Sequence, residues 1–376
     1  MILLQKLLVG SLISVLSVAS FADSDSVLSV RLTAGKHVPF VLKKVVDVQK
    51  IAQLTGADSI NKTERYDVYG ADLGSMFNQG DKTYLVFGDT FGLRSPGMTG
   101  GGGQDWRSNT MAFTTTRNPS HGLKFAGWIT DGRGDAKELL PSLKVDNVEI
   151  TKIPTNGVSV GKTLYLYYMS VRHFGPPGVW SANYSGIAKS VDSGQTWQFI
   201  KGAKWPGNSN FIQVSAYKVK VNDHLTEIYF WGIPAGRFGG VKLMRVNARD
   251  IQDIAKYRYF AGTNENGQPL WSHRMSRAVK IVNNPVGELS VIWDPYLQRW
   301  IMMYLQGRGN VVMREGITEW GPWGKAITVA TQEHYPGLYG PFMNPRYMDK
   351  NGEYIYFTLS MWGPYNVFWM KAKLVK

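Results

Sequence analysis

Gly70-Ala71-Asp72-Leu73-Gly74, answered by Tyr84-Leu85-Val86-Phe87-Gly88-Asp89-Thr90-Phe91, is the stretch on which the reading of this chain turns. Aromatic and β-branched residues fill the second segment, and polar turn residues separate it from the first, which is the pattern of two strands closing a hairpin. Glycine beside each aspartate permits close approach to the backbone, so Asp72 and Asp89 are placed for a ligand rather than for solvent. The same strand type recurs at 165–169, 228–233, 300–305 and 354–359, each copy preceded by another short segment, at 155–160, 210–219, 287–295 and 340–348. Five such units, with little 3.6-residue periodicity after residue 60 beyond a short helix expected near 250–256, predict an all-β fold, a five-bladed β-propeller over 66–376. A pair of β-sandwiches is the rival, disfavoured by repeated hairpins where Greek-key spacing would be needed.

In a propeller the first strand of each blade lines the axis, so polar residues distant in sequence converge there. That geometry predicts an axial ring of Asp72, Asn156, Gln213 or Ser215, Glu288 and Asn344, the outline of a sugar-binding cavity. Ser190-Val191-Asp192-Ser193-Gly194-Gln195-Thr196-Trp197 has the Asp-box pattern, in which aspartate and glycine close a tight hairpin over a tryptophan, and its role is structural. The glycine-rich run 97–105 predicts a mobile rim leading to the donors Arg107 and Asn109. The loop 173–180, stiffened by Pro176 and Pro177, presents His173 and Trp180, and a third loop presents Trp362 and Tyr365.

At the start, Lys6 precedes an apolar run from 7 to 18 with small residues at Ser20 and Ala22, which reads as a secretory signal peptide over 1–22. The run is too short to span a bilayer, and no later stretch reaches the roughly 20 apolar residues needed. The expectation is a protein exported to the periplasm or beyond, with no membrane span and with 23–65 as an N-terminal lead-in that is either an added strand packed on the propeller or a flexible segment. The chain has no cysteine, so its stability rests on packing rather than disulfides. Its net charge is +14, but the basic residues are scattered and form no nucleic-acid motif, so nucleic acid is not expected as a partner.

Hydrolysis of a glycosidic bond needs a proton for the leaving oxygen and a second carboxylate that activates water or attacks the sugar carbon. Asp72, Asp89 and Glu288 are the carboxylates placed for this: Asp72 as base or nucleophile, Glu288 as acid, Asp89 as the group that orients or tunes its neighbour. For Asp89 the bland reading is a turn aspartate capping its own hairpin, and for Glu288 a solvated strand end. Arg107, Asn109, Asn156, His173, Trp180, Trp362 and Tyr365 are the expected substrate contacts, and Trp106 is placed at the site with the other aromatics, which stack on sugar rings. The six histidines show no ligand spacing, so no metal or cofactor is expected, although a structural calcium on oxygen ligands is compatible with the sequence. A glycan-binding propeller without activity and a sialidase-like hydrolase are the other classes the motifs allow.

Taken together, GADLG at 70–74, LVFGDTFG at 85–92, WRSN at 106–109, the Asp box after GIAKS, GELSVIWDPYLQRWIMMY at 287–304 and MWGPYNVFW at 361–369 resemble the domain-of-unknown-function 4185 family, associated with the endo-D-arabinanases of glycoside hydrolase family 183. The resemblance covers nearly the whole chain after the leader. It implies a propeller that cleaves α-linked D-arabinofuranose chains, such as those of arabinan, arabinogalactan, lipoarabinomannan or glycosylated pili. It also implies that the family's acidic motifs fall on Asp72, Asp89 and Glu288. The glycine run near 97–104 departs from the family pattern and bears on substrate preference.

Overall fold

The structure, a computed structural model, describes residues 38–376 and the backbone of 26–28. The leader expected at 1–22 and most of 23–37 lie outside the described residues. Five antiparallel sheets are arranged around one axis as a five-bladed β-propeller. Blade I holds Gly70–Gln79, Lys82–Phe91, Thr110–Thr114 and Gly127–Trp128, innermost strand first. Blade II holds Thr151–Val160, Thr163–Phe174, Trp180–Ser190 and Gln198–Pro206. Blade III begins Gln213–Asn222, Leu225–Ile233 and Gly239–Asn247 and is widened by Arg258–Thr263, Pro269–Ser272 and Lys280–Val286; Ser26–Leu28 runs parallel to its inner strand. Blade IV holds Leu289–Asp294, Arg299–Leu305, Val311–Gly316 and Ile327–Ala330.

Blade V closes the ring. Its inner three strands, Leu338–Met348, Tyr354–Met361 and Asn366–Val375, come from the end of the chain, and the outer one, Lys44–Gln53, comes from near its start. The join is reinforced by Glu315, 3% exposed, whose carboxylate accepts the N–H groups of Val41 and Leu42 at 2.8 Å and pairs with Arg299 at 2.9 Å. The innermost strands pack side by side in sequence order, and the last packs on the first.

Each repeated segment of the sequence is the second strand of a blade, fully engaged between two neighbours, which is why its residues are almost continuously apolar. The two faces of a blade pack against the blades on either side. Phe77, Tyr84 and Met111 meet Leu164, Leu166 and Ala188 between blades I and II, while Phe87 and Trp128 meet Tyr356 and Trp369 between I and V. Where a helix was expected near 250–256, two single 3-10 turns, Ala248–Asp250 and Ile254–Lys256, are capped by Asn247 and Asp253. Asparagine and aspartate compete for the backbone in this way and favour caps over helix interior.

Candidate active site

At the end of the axis where the inner strands begin lies a cavity of about 600 Å³. Asp72, Asp89 and Glu288 all line it. Asp72 is delivered by a bulge: the pairing of Gly70–Gln79 with Lys82–Phe91 slips on either side of Leu73, and Leu73 and Gly74 take φ of 67° and 76°. Such an irregularity re-aims a side chain that a regular strand would bury against the next blade. The Asp72 carboxylate then lies across Gly88, where an added Cβ would come within 2.4 Å of Oδ1; any larger residue there would displace it.

Burial is the main reason the Asp72 carboxyl is pushed up to about 8, with the negative charges of Asp89 and Glu288 adding to it and the hydroxyls of Tyr339 and Tyr365 opposing it. Tyr339 donates to Oδ2 at 3.0 Å, while Oδ1 is buried with no partner. Asp89 is pushed up by burial to about 6, held down by the two donors on its Oδ1, Thr151 at 2.6 Å and Trp106 Nε1 at 2.8 Å. Thr151 opens the inner strand of blade II, whose next residue Lys152 is locked in a buried pair with Glu149 at 2.6 Å. Glu288 meets Arg237 side-on, Nε reaching both its oxygens and Nη2 reaching Oε1 at 2.7 Å. The Arg237 guanidinium in turn lies 5.0 Å from the centre of the Tyr339 ring, so one packed row runs from Glu288 to Asp72.

Trp180, Trp362 and Tyr365 are on the cavity wall with the carboxylates, and Trp106 joins them. Four of the residues expected to touch substrate are elsewhere. Arg107 is consumed by Asp67, through an ion pair at 3.2 Å and its backbone carbonyl. Asn109 ties Leu139, Leu140 and Lys152 together through both ends of its amide. Both read as rim donors because WRSN follows a glycine loop, but the chain re-enters blade I at that point and buries them. Asn156 is buried off the cavity wall although its neighbour Thr155 lines it, so alternation along the strand separates the two. Asn344 is likewise buried, paired with Asn78. His173 precedes Phe174 in its strand, so alternation turns it away from the cavity and onto Asp146 at 2.7 Å.

The glycine-rich run is not a free rim. Gly100 donates to the carbonyls of Trp362 and Gly363, and Arg94 Nη2 donates to the Gly100 carbonyl at 2.7 Å. Added Cβ atoms at Gly100 and Gly101 would come 2.7 and 3.2 Å from the rings of Trp362 and Tyr365, so the glycines let the loop lie flat on those aromatics. Sequence reasoning missed Arg237 and Tyr339. Both carry the signal that singled out Asp72, a glycine close on either side, in Gly236-Arg237-Phe238-Gly239 and Leu338-Tyr339-Gly340. Among the described residues no three histidine, aspartate or glutamate side chains gather closely enough to hold a metal ion.

A propeller with three carboxylates gathered in a cavity at one end of its axis is the class that this fold and cavity define. Residues 58–371 match the family described as a domain of unknown function, DUF4185, and the chain belongs to that family. The Notoamide biosynthesis cluster protein J of Aspergillus sp. (strain MF297-2) is 27% identical over 318 residues, spanning 79% of this chain and 81% of the fungal one. Among solved structures, a Bacteroides ovatus protein is similar with a TM-score of 0.54 at 12% identity, covering 82% of this chain and 87% of that one. The exo-β-1,3-galactanase of Phanerochaete chrysosporium, solved with β-1,3-galactotriose, has a TM-score of 0.50 at 8% identity, covering 86% of this chain and 64% of that one. At these identities the structural likenesses establish the fold alone.

Proposed function

We propose that the protein is an exported glycoside hydrolase that cuts α-D-arabinofuranosyl linkages within envelope or surface glycans. The observation that carries this reading is a pair of aspartates from one hairpin, half-buried in one cavity, with their proton affinities held apart: Asp72 near 8 and Asp89 near 6. Two carboxyls so separated supply a proton donor and an ionised partner at the same pH. Asp72 keeps its proton at neutral pH and passes it to the leaving oxygen. Asp89, oriented by Thr151 and Trp106, activates water or attacks the sugar carbon. Glu288 has both oxygens on Arg237, which suits it to anchoring that guanidinium beneath Tyr339 rather than to giving a proton. Trp106, Trp180 and Trp362 are the cavity aromatics for furanose units, while Tyr365, 3% exposed beneath Gly101 and Arg94, stays with Asp72. The occurrence of this fold in a galactanase is an analogy in the same direction, and the arabinofuranosyl preference rests on the family resemblance.

Incubation with D-arabinan and with L-arabinan, followed by sizing of the products, tests the proposal. Shortened D-arabinan chains are expected from the wild type, and rates about a thousandfold lower or worse from folded Asp72→Asn and Asp89→Asn. Intact polymer after long incubation with the wild type would leave a glycan-binding protein instead.

A further inference from the structure

The cavity has one lip that the chemistry of two carboxylates does not explain. The tip of the hairpin joining Thr163–Phe174 to Trp180–Ser190 overhangs the mouth, carrying Phe174, Pro176, Pro177 and Val179, and Phe238 of blade III packs beside it. Phe174, Val179 and Phe238 are 40%, 45% and 43% exposed. Across the mouth Trp362 is 55% exposed. Apolar side chains grouped at the edge of a cavity mark a contact surface, whereas scattered ones need no explanation.

A further sugar unit bound here would need partners for its hydroxyls, and the lip has few to give. Its side chains carry no donor or acceptor, and its prolines have no N–H. The N–H groups of Gly175 and Val179 are bonded within the loop, and the Gly178 carbonyl accepts from Arg237. Arg237 and Arg308 flank the lip, their side-chain stems 3.3 and 3.4 Å from where a Cβ on Gly178 would stand, and the Arg237 guanidinium is already taken up by Glu288. The hairpin tip is held in place by that Arg237 to Gly178 bond, so the surface is preformed. Resting on the glycosidase reading above, we infer that the sugar entering this cavity carries an apolar chain, as aglycone or as acyl ester, and that Phe174, Val179 and Phe238 receive it.

Calorimetric titration of full-length Asp72→Asn, below micellar concentrations, tests this with methyl and octyl α-D-arabinofuranoside, with methyl and octyl β-D-glucopyranoside, and with an octanoyl ester of the methyl arabinofuranoside. A fully buried methylene is worth about fourfold in affinity, so even partial burial makes an octyl or octanoyl probe at least about tenfold tighter than its methyl parent. That advantage falls below about threefold in Phe174→Ser/Val179→Ser and partway in Phe238→Ser, a residue off the cavity wall. A gain in either the aglycone or the ester arm supports the inference. Equal affinity for long and short probes, or an advantage that survives the serine substitutions, overturns it. A chain-length advantage on both sugars, with D-arabinan left intact by the wild type, would uphold the lip while refuting the hydrolase reading.

Discussion

At the scale of single residues, the site is a case of function working against stability. An aspartate that titrates near 3.8 in the unfolded chain and near 8 in the folded one stabilises the fold only while it is protonated in both states. Its contribution is complete below about pH 4 and is lost as pH rises toward 8, where the unfolded chain has already released its proton. Asp72→Asn removes the titration. The expected outcome is a variant that matches the wild type at pH 4 but exceeds it at pH 8 by an amount on the order of a few kcal/mol, read as Tm in parallel thermal melts. A melting difference that does not grow between those pH values would mean that Asp72 is not desolvated as described. The carboxylates themselves were legible in the sequence because glycine flanked them. Their division of labour was not, since it depends on Tyr339, Thr151, Trp106 and Arg237, all supplied by other strands or loops.

At the scale of elements, the Asp box shows how a motif can be read correctly without touching the chemistry. Asp192 accepts from Ser190 Oγ at 2.7 Å, from the Thr196 N–H at 2.9 Å and from Thr196 Oγ1 at 2.6 Å, and Trp197 Nε1 returns to the Gly194 carbonyl. These bonds close the hairpin between Trp180–Ser190 and Gln198–Pro206, on the outer part of blade II. Asp192→Ala is expected to lower stability by about 1–2 kcal/mol in denaturant titration while leaving turnover unchanged. The misplaced residues are instructive for the opposite reason. Arg107, Asn109 and His173 were chosen by their neighbours in sequence and Asn156 by its place on an inner strand, yet whether a strand residue meets a cavity depends on alternation and on depth along the axis. The bulge at Leu73 is marked in the sequence by Gly74 alone, and the re-entry of the chain at Arg107 leaves no trace in residue type.

At the scale of the whole molecule, the hairpin repeat made the blade number readable because every second strand is buried on both faces and so must be apolar throughout. The closure was harder to foresee: Lys44–Gln53 is polar enough to pass for a lead-in, being the outermost strand of its blade. The clamp on that closure is Glu315, and Glu315→Ala strands Arg299, only 15% exposed in its side chain, beside two unpaired backbone N–H groups. A loss of about 3 kcal/mol or more is expected by chemical denaturation. What the ring accomplishes for function is convergence, since Asp72 and Asp89 of blade I, Arg237 of blade III, Glu288 before blade IV and Tyr339 of blade V reach one cavity. The most direct test of that account is the pH dependence of kcat/KM on a D-arabinan oligosaccharide. The account predicts a bell with its acid limb near 6, set by Asp89, and its alkaline limb near 8, set by Asp72, the latter abolished with the activity in Asp72→Asn. A rate that stays level from pH 5 to 9, or an alkaline limb that survives the asparagine substitution, would contradict it.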